Sequence, residues 1–129
     1  ISDGDISASI EAMRGDNCDL MLGIGAAPEG VISAVAACAL DGFFEGKLEF
    51  RDEADRKRSL SMLESYSQAE EVLSSSQLCS SEDAIFVATG VCSGYLPGVF
   101  TGDTNKQTTT EVLVASTKQH MLFTNQHKI

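Results

Sequence analysis

The sequence predicts a single layered α/β domain, and three observations predict it. Helical periodicity alternates with short apolar runs along the chain, giving an order of roughly α-β-α-β-α-β-β-β-β. A length of 129 residues sits near the modal domain size, which suits one core rather than two. A composition of 43% hydrophobic and 22% charged residues excludes wholesale disorder. The expected architecture is a mixed β-sheet flanked by helices, with residues 1–129 as one domain.

The elements have local reasons. Asp3-Gly4-Asp5 opens a helix over Ile6–Met13, with an Asp as N-cap and Ile6, Ile10 and Met13 on one face. Asp19–Ile24 is a short apolar run ended by glycine, the pattern of a buried strand. Pro28 in the first turn starts a helix through Glu29–Leu40, and Asp41-Gly42 closes it. Phe43–Phe50 alternates loosely, as a strand does. Asp52–Tyr66 is a charged amphipathic helix with Leu60 and Leu63 as its core residues. Glu71–Leu73 is too short to assign, and the serine-rich Ser74–Ser81 reads as a loop. Ala84–Ala88 is a buried strand running into Thr89-Gly90, and Gly94–Gly102 is turn-rich. Glu111–Ser116 and Met121–Thr124 form two strands, a hairpin about Thr117–His120.

Charge bounds the partners. A net charge of −10 excludes the Lys- and Arg-rich footprint of a nucleic-acid binder. No apolar run approaches the ~18–20 residues of a membrane span. No basic segment followed by an apolar one opens the chain, so no signal peptide is expected; a start at Ile1, directly in structured-looking sequence, points to a truncated or processed chain. Residues 1–46 hold eight acids and one base, whereas residues 104–129 hold three lysines and one acid. Cys18, Cys38, Cys79 and Cys92 form no CxxC pair and have no His at ligand spacing, so they are neither a zinc set nor a dense disulfide scaffold. They read as reduced thiols of a cytosolic protein, with Cys38 as a small buried hydrophobe.

Three places hold residues suited to chemistry. Asp3-Gly4-Asp5 sets carboxylates beside the free amides of a helix start, a site for hydroxyls or an anion, or simply a cap. Gly23-Ile-Gly25-Ala-Ala-Pro28-Glu29 is a strand–turn–helix junction. Pro28 in place of a third glycine excludes a dinucleotide fingerprint, and no Gly-Lys-Ser/Thr follows to make a phosphate loop. What remains is Glu29 in the first turn of a helix, either a hard-metal ligand or a charge complementing the helix dipole. Thr89-Gly90 ends a strand and can offer a hydroxyl and an amide, or only a turn. His120 and His127 read as solvated surface residues, and no nucleophile–base set can be assembled.

Together these places resemble the class II fructose-1,6-bisphosphatases. The resemblance runs through DGDISASI at residues 3–10, LMLGIGAAPEGVISA at 20–34, DGFFEGKLEF at 41–50, FVATGV at 86–91, TTTEVLVAS at 108–116 and FTNQHKI at 123–129. It leans toward the branch that acts on both fructose 1,6- and sedoheptulose 1,7-bisphosphate. The resemblance implies a layered sugar-phosphatase fold of two sub-domains, with this chain matching the second, C-terminal one. It also implies hydrolysis of a sugar 1-phosphate, a catalytic Mg²⁺ or Mn²⁺, a homo-oligomer and a cytoplasmic setting. Carried over by motif, Asp3, Gly4 and Asp5 contact substrate and Glu29 ligates the metal. The family's other metal ligands, including an Asp-x-x-Glu-Gly-Thr type motif, have no counterpart here, so the N-terminal half of the same enzyme is the implied partner. The alternative is a non-catalytic sugar-phosphate-binding or assembly module.

Overall fold

The computed structural model describes residues 4–62 and 69–128. Helix α1 spans Asp5–Arg14, one residue beyond the expected helix at each end. Its N-cap is Gly4 at φ 89°, a left-handed conformation that glycine tolerates, rather than an Asp side chain. Asp5 instead lies in the first turn, where a negative charge complements the helix dipole.

Helix α2, Ala27–Leu40, begins with Pro28 in its first turn and ends at Asp41 in a left-handed conformation, as the Pro and Asp-Gly signals predict. Its buried face is Ser33, Ala34, Ala36, Ala37 and Ala39, and side chains this small let α2 lie close against α1 and the sheet. Strand β1, Glu45–Lys47, is the short core of the expected Phe43–Phe50 strand. Helix α3, Glu53–Leu60, starts with the Asp52 carboxylate accepting a hydrogen bond from the Asp55 amide at 2.8 Å. Such a cap is worth about 1 kcal/mol. Leu60 is buried as predicted; Leu63 and Tyr66 lie outside the described residues.

Two assignments differ in the middle of the chain. The segment too short to assign contributes to strand β2, Val72–Ser74, which pairs antiparallel with β1. The serine-rich stretch read as a loop contains a short helix, α4, Ser75–Leu78. Ser74 and Gln77 close a capping box there, the Ser74 amide donating to Gln77 Oε1 at 2.9 Å.

The main sheet comprises β3 (Ile85–Thr89), β4 (Phe100–Thr101), β5 (Asn105–Val114) and β6 (Gln119–Lys128). β5 pairs with β6 along one edge and with β3 and β4 along the other. The layered α/β architecture is the one expected, but the sheet expected to be mixed is not: every pairing among the described residues is antiparallel, since the strands of the main sheet follow one another through turns with no helical crossover between them. The β5–β6 hairpin is longer than the alternation suggested, ten residues in each strand, and it turns through Lys118 at φ 53°. Ile10, Ala36 and Ala39 from the helices meet Phe86 and Leu113 from the sheet and Ala115 from the hairpin turn to form the core. Cys38 packs against this core half-buried, and all four cysteines are free thiols.

The clearest departure is the apolar run Asp19–Ile24, expected as a buried strand. It is in no strand, and Leu22 and Ile24 are 84% and 87% exposed. A strand needs a neighbour to satisfy its amides and carbonyls, and no described segment pairs with this one. Likewise β3 is buried on one face only: Phe86 points into the core while Ile85 and Val87 are each 59% exposed. Among the described residues no helix is long and apolar enough to cross a membrane.

Candidate functional site

The three sequence-predicted places converge on the start of α1. Pairing of α1 with α2 brings the Gly23–Glu29 turn beside Asp5. A Cβ placed on Gly25 would lie 3.0 Å from Asp5 Oδ2 and 3.7 Å from Glu29 Cβ. Gly25 therefore does not need a left-handed backbone; what its missing side chain provides is close approach of the Asp5 carboxylate, which would have to shift slightly to admit a Cβ. Asp5 and Glu29 thus border the same residue. Glu29 Oε2 is buried and has no hydrogen-bond partner, so this carboxylate oxygen gains nothing from the protein in exchange for its lost water. Gly4 precedes both at the exposed end of the helix, and Asp3 lies outside the described residues.

Next along α1, a cleft of about 390 Å³ opens between Ile6 and Ser7 and the end of β3. Thr89, Gly90 and the loop 91–96 form its far wall. Here a glycine is dictated by contact, since a Cβ on Gly90 would fall 2.0 Å from the Pro97 carbonyl oxygen. Thr89 Oγ1 is 2.9 Å from Thr110 Oγ1, so its hydroxyl already has a partner across the strands.

One cluster beneath this cleft is absent from the sequence reading. Glu111 is completely buried in β5, and Arg14 at the end of α1 donates to its Oε1. His120 of β6 brings Nε2 to within 2.7 Å of the same oxygen. His120 is thus exposed, as expected, but not merely solvated. The Arg14 guanidinium also stands 5.5 Å from the centroid of the Tyr95 ring, a cation–π contact. Tyr95 lines the cleft, and burial, followed by the negative charge of Glu111, pushes its phenol well above the ordinary tyrosine range. The folded state therefore favours the neutral phenol. Its contribution is intact below the unfolded value of about 10 and is lost as pH rises beyond it. Chemical-denaturant melts between pH 8 and 11 should show stability falling above about pH 10, and Tyr95→Phe should flatten that fall. An unchanged slope in the variant would assign the alkaline loss elsewhere.

Among the described residues no three His, Cys, Asp or Glu side chains gather into a metal cage. The donors present fit one side of a divalent cation: anionic oxygen at Glu29, unpartnered, with the Asp5 carboxylate beside the same turn. Gly25→Val would drive a branched side chain into Asp5. We expect it to lower the melting temperature by several degrees and to displace Asp5, readable as a shifted Asp5 carboxyl resonance in NMR spectra. Wild-type melting and an unmoved resonance would make the turn an ordinary one.

A layered domain whose two helix starts and one strand end meet at glycine-tight turns has the layout of a small-ligand enzyme domain. Comparison with known proteins narrows this. Residues 1–127 match the family described as bacterial fructose-1,6-bisphosphatase, glpX-encoded. A Thermosynechococcus vestitus protein named D-fructose 1,6-bisphosphatase class 2/sedoheptulose 1,7-bisphosphatase is 39% identical over 108 residues, 74% of this chain and 31% of the relative. Proteins of the same name from Trichormus variabilis and from a Nostoc species are 39% and 38% identical over 107 residues, again 74% of this chain and 31% of the relative. The chain belongs to the glpX-type bacterial fructose-1,6-bisphosphatase family. It spans about a third of the length of the curated relatives it matches.

Proposed function

We propose that this chain forms the C-terminal, substrate- and metal-binding part of a metal-dependent sugar bisphosphatase. The reaction is hydrolysis of the 1-phosphate of fructose 1,6-bisphosphate, and of sedoheptulose 1,7-bisphosphate, the second substrate that the relatives' names carry. The observation that supports this is the meeting of Asp5 and Glu29 at Gly25, with one buried Glu29 oxygen lacking a partner. Glu29 would hold a Mg²⁺ or Mn²⁺ ion, which when bound neutralises charge on the phosphoryl oxygens and activates water. Asp3 and Asp5 would accept hydrogen bonds from sugar hydroxyls, and Gly4 leaves the backbone of the helix start accessible to them. The pull of the helix dipole on a nearby anion orients the distal phosphate. A cytoplasmic setting and assembly into a homo-oligomer belong to the same proposal.

The test is a chimera in which this chain replaces the matched segment of the Thermosynechococcus vestitus enzyme. The chimera should release phosphate from fructose 1,6-bisphosphate with Mg²⁺ or Mn²⁺, while the 129-residue chain alone should not. Metal-dependent turnover by the chain alone would show that it completes a metal cage by itself. A cooperatively folded chimera without turnover would remove the catalytic reading.

A further inference from the structure

The antiparallel register assigns each strand residue to a face, since directly paired residues project to the same side. One face of the main sheet, with Phe86, Glu111 and Leu113, packs on the helices. On the other, Ile85 pairs with Val114 and Val87 with Val112, and Val112 pairs in turn with Met121 and Thr110 with Phe123. This second face is apolar over three strands, and among the described residues no helix covers it: Ile85, Val87 and Phe123 are all exposed. An antiparallel sheet with one solvated face alternates apolar with polar residues. A contiguous apolar patch of this kind instead marks a surface that another element covers.

We propose that this face is the docking surface for the remaining two-thirds of the enzyme. The proposal rests on the reading that the chain works as part of the larger bisphosphatase, whose relatives are about three times as long as the stretch matched here. Two further observations select that occupant over a second copy of the chain. The extended run around Leu20, Leu22 and Ile24 is a second exposed apolar element with no strand partner among the described residues, and a longer polypeptide can cover both it and the sheet. Toward its far end the apolar face becomes basic, with Lys106 paired to His127. None of its strand positions on this side is acidic, so the strands of a copy facing it would bring Lys106 no counter-charge. The occupant therefore presents apolar side chains to Ile85, Val87, Val112 and Met121 and a carboxylate to Lys106.

Hydroxyl-radical footprinting reads this directly, because Met121 and Phe123 are both reactive and both on the face. In the chain alone both should be labelled, at a rate independent of protein concentration. In the Thermosynechococcus vestitus chimera, or in the chain mixed with the relative's unmatched polypeptide, labelling of both should fall by about tenfold or more. Val112→Asp should abolish that protection in the mixture while leaving the melting of the chain alone nearly unchanged, since Val112 does not belong to the core. Concentration-dependent protection of the chain alone would assign the face to a second copy. Equal labelling in the chain, the chimera and the mixture would overturn the proposal. Phosphate release by the same chimera separates the two readings: protection without turnover retains the docking face and removes the catalytic role, and turnover with an exposed face does the reverse.

Discussion

Glu29→Gln, introduced into the full-length chimera, should lower metal-dependent turnover by more than about 100-fold. Even residues that merely hydrogen-bond to a metal ligand are worth about 10–100-fold in affinity or activity, and Glu29 is proposed as the ligand itself. Glutamine keeps the shape and removes the charge, so a hard cation loses its anionic oxygen. Melting in the presence of a chelator should change little or rise slightly, because the buried Oε2 has no partner to lose. If Glu29 only complements the dipole of α2, the variant instead loses about 0.3–1 kcal/mol of stability and keeps its activity. Metal-dependent turnover and metal-free melting on one variant separate these outcomes.

The largest effect on stability should come from Arg14→Ala. Glu111 is fully buried, and removing its guanidinium partner leaves a carboxylate with no fixed positive charge beside it, only the His120 imidazole and the neutral Tyr95 phenol. Breaking a buried ion pair from one side costs about 3–5 kcal/mol. Arg14 is itself partly solvated, which brings the expected loss to or just below the lower end of that range, about 2–3 kcal/mol. The double replacement Arg14→Met with Glu111→Leu should recover most of that loss, since apolar groups of similar volume often substitute for a buried pair without penalty. Urea titrations of the single and double variants measure both terms. A single variant as stable as the wild type would show that water reaches Glu111 and that the pair is marginal.

How much of this was legible in the sequence depends on how local each cause is. Helix starts and stops are local: Pro28 and Asp41-Gly42 bound α2 where they should. So was α4, had Ser74-x-x-Gln77 been read as a capping box rather than as serine-rich loop. The Asp19–Ile24 run has the composition of a strand, but a strand is a relation between segments, and no described segment answers it. Glu111 left a signal, one acid at the head of the apolar strand run Val112–Val114. Its partners come from Arg14, 97 residues away, and from the far side of the hairpin, which no spacing rule reaches. At the site, the motifs located Asp5, Glu29 and Thr89 separately. That a carboxylate of α1 should crowd the place of a side chain at Gly25 is a fact of helix packing alone.

The turn of the β5–β6 hairpin has a further bearing on the sheet above it. Lys118, at φ 53°, reaches back to Asp41, also at φ 53°, with Nζ 2.9 Å from Oδ1, and donates to the Cys38 carbonyl at the end of α2. Because both faces of β5 carry apolar side chains, hydrophobicity alone distinguishes weakly between the native alignment and one slipped by a residue. A slipped hairpin would turn Val112 and Val114 inward at modest cost and would present Glu111 to solvent, parting it from Arg14. The ionic clasp at Lys118 and the buried carboxylate at Glu111 act as two alignment pins, one at the tip and one mid-strand. They keep the core surface of the sheet and its docking surface from exchanging roles.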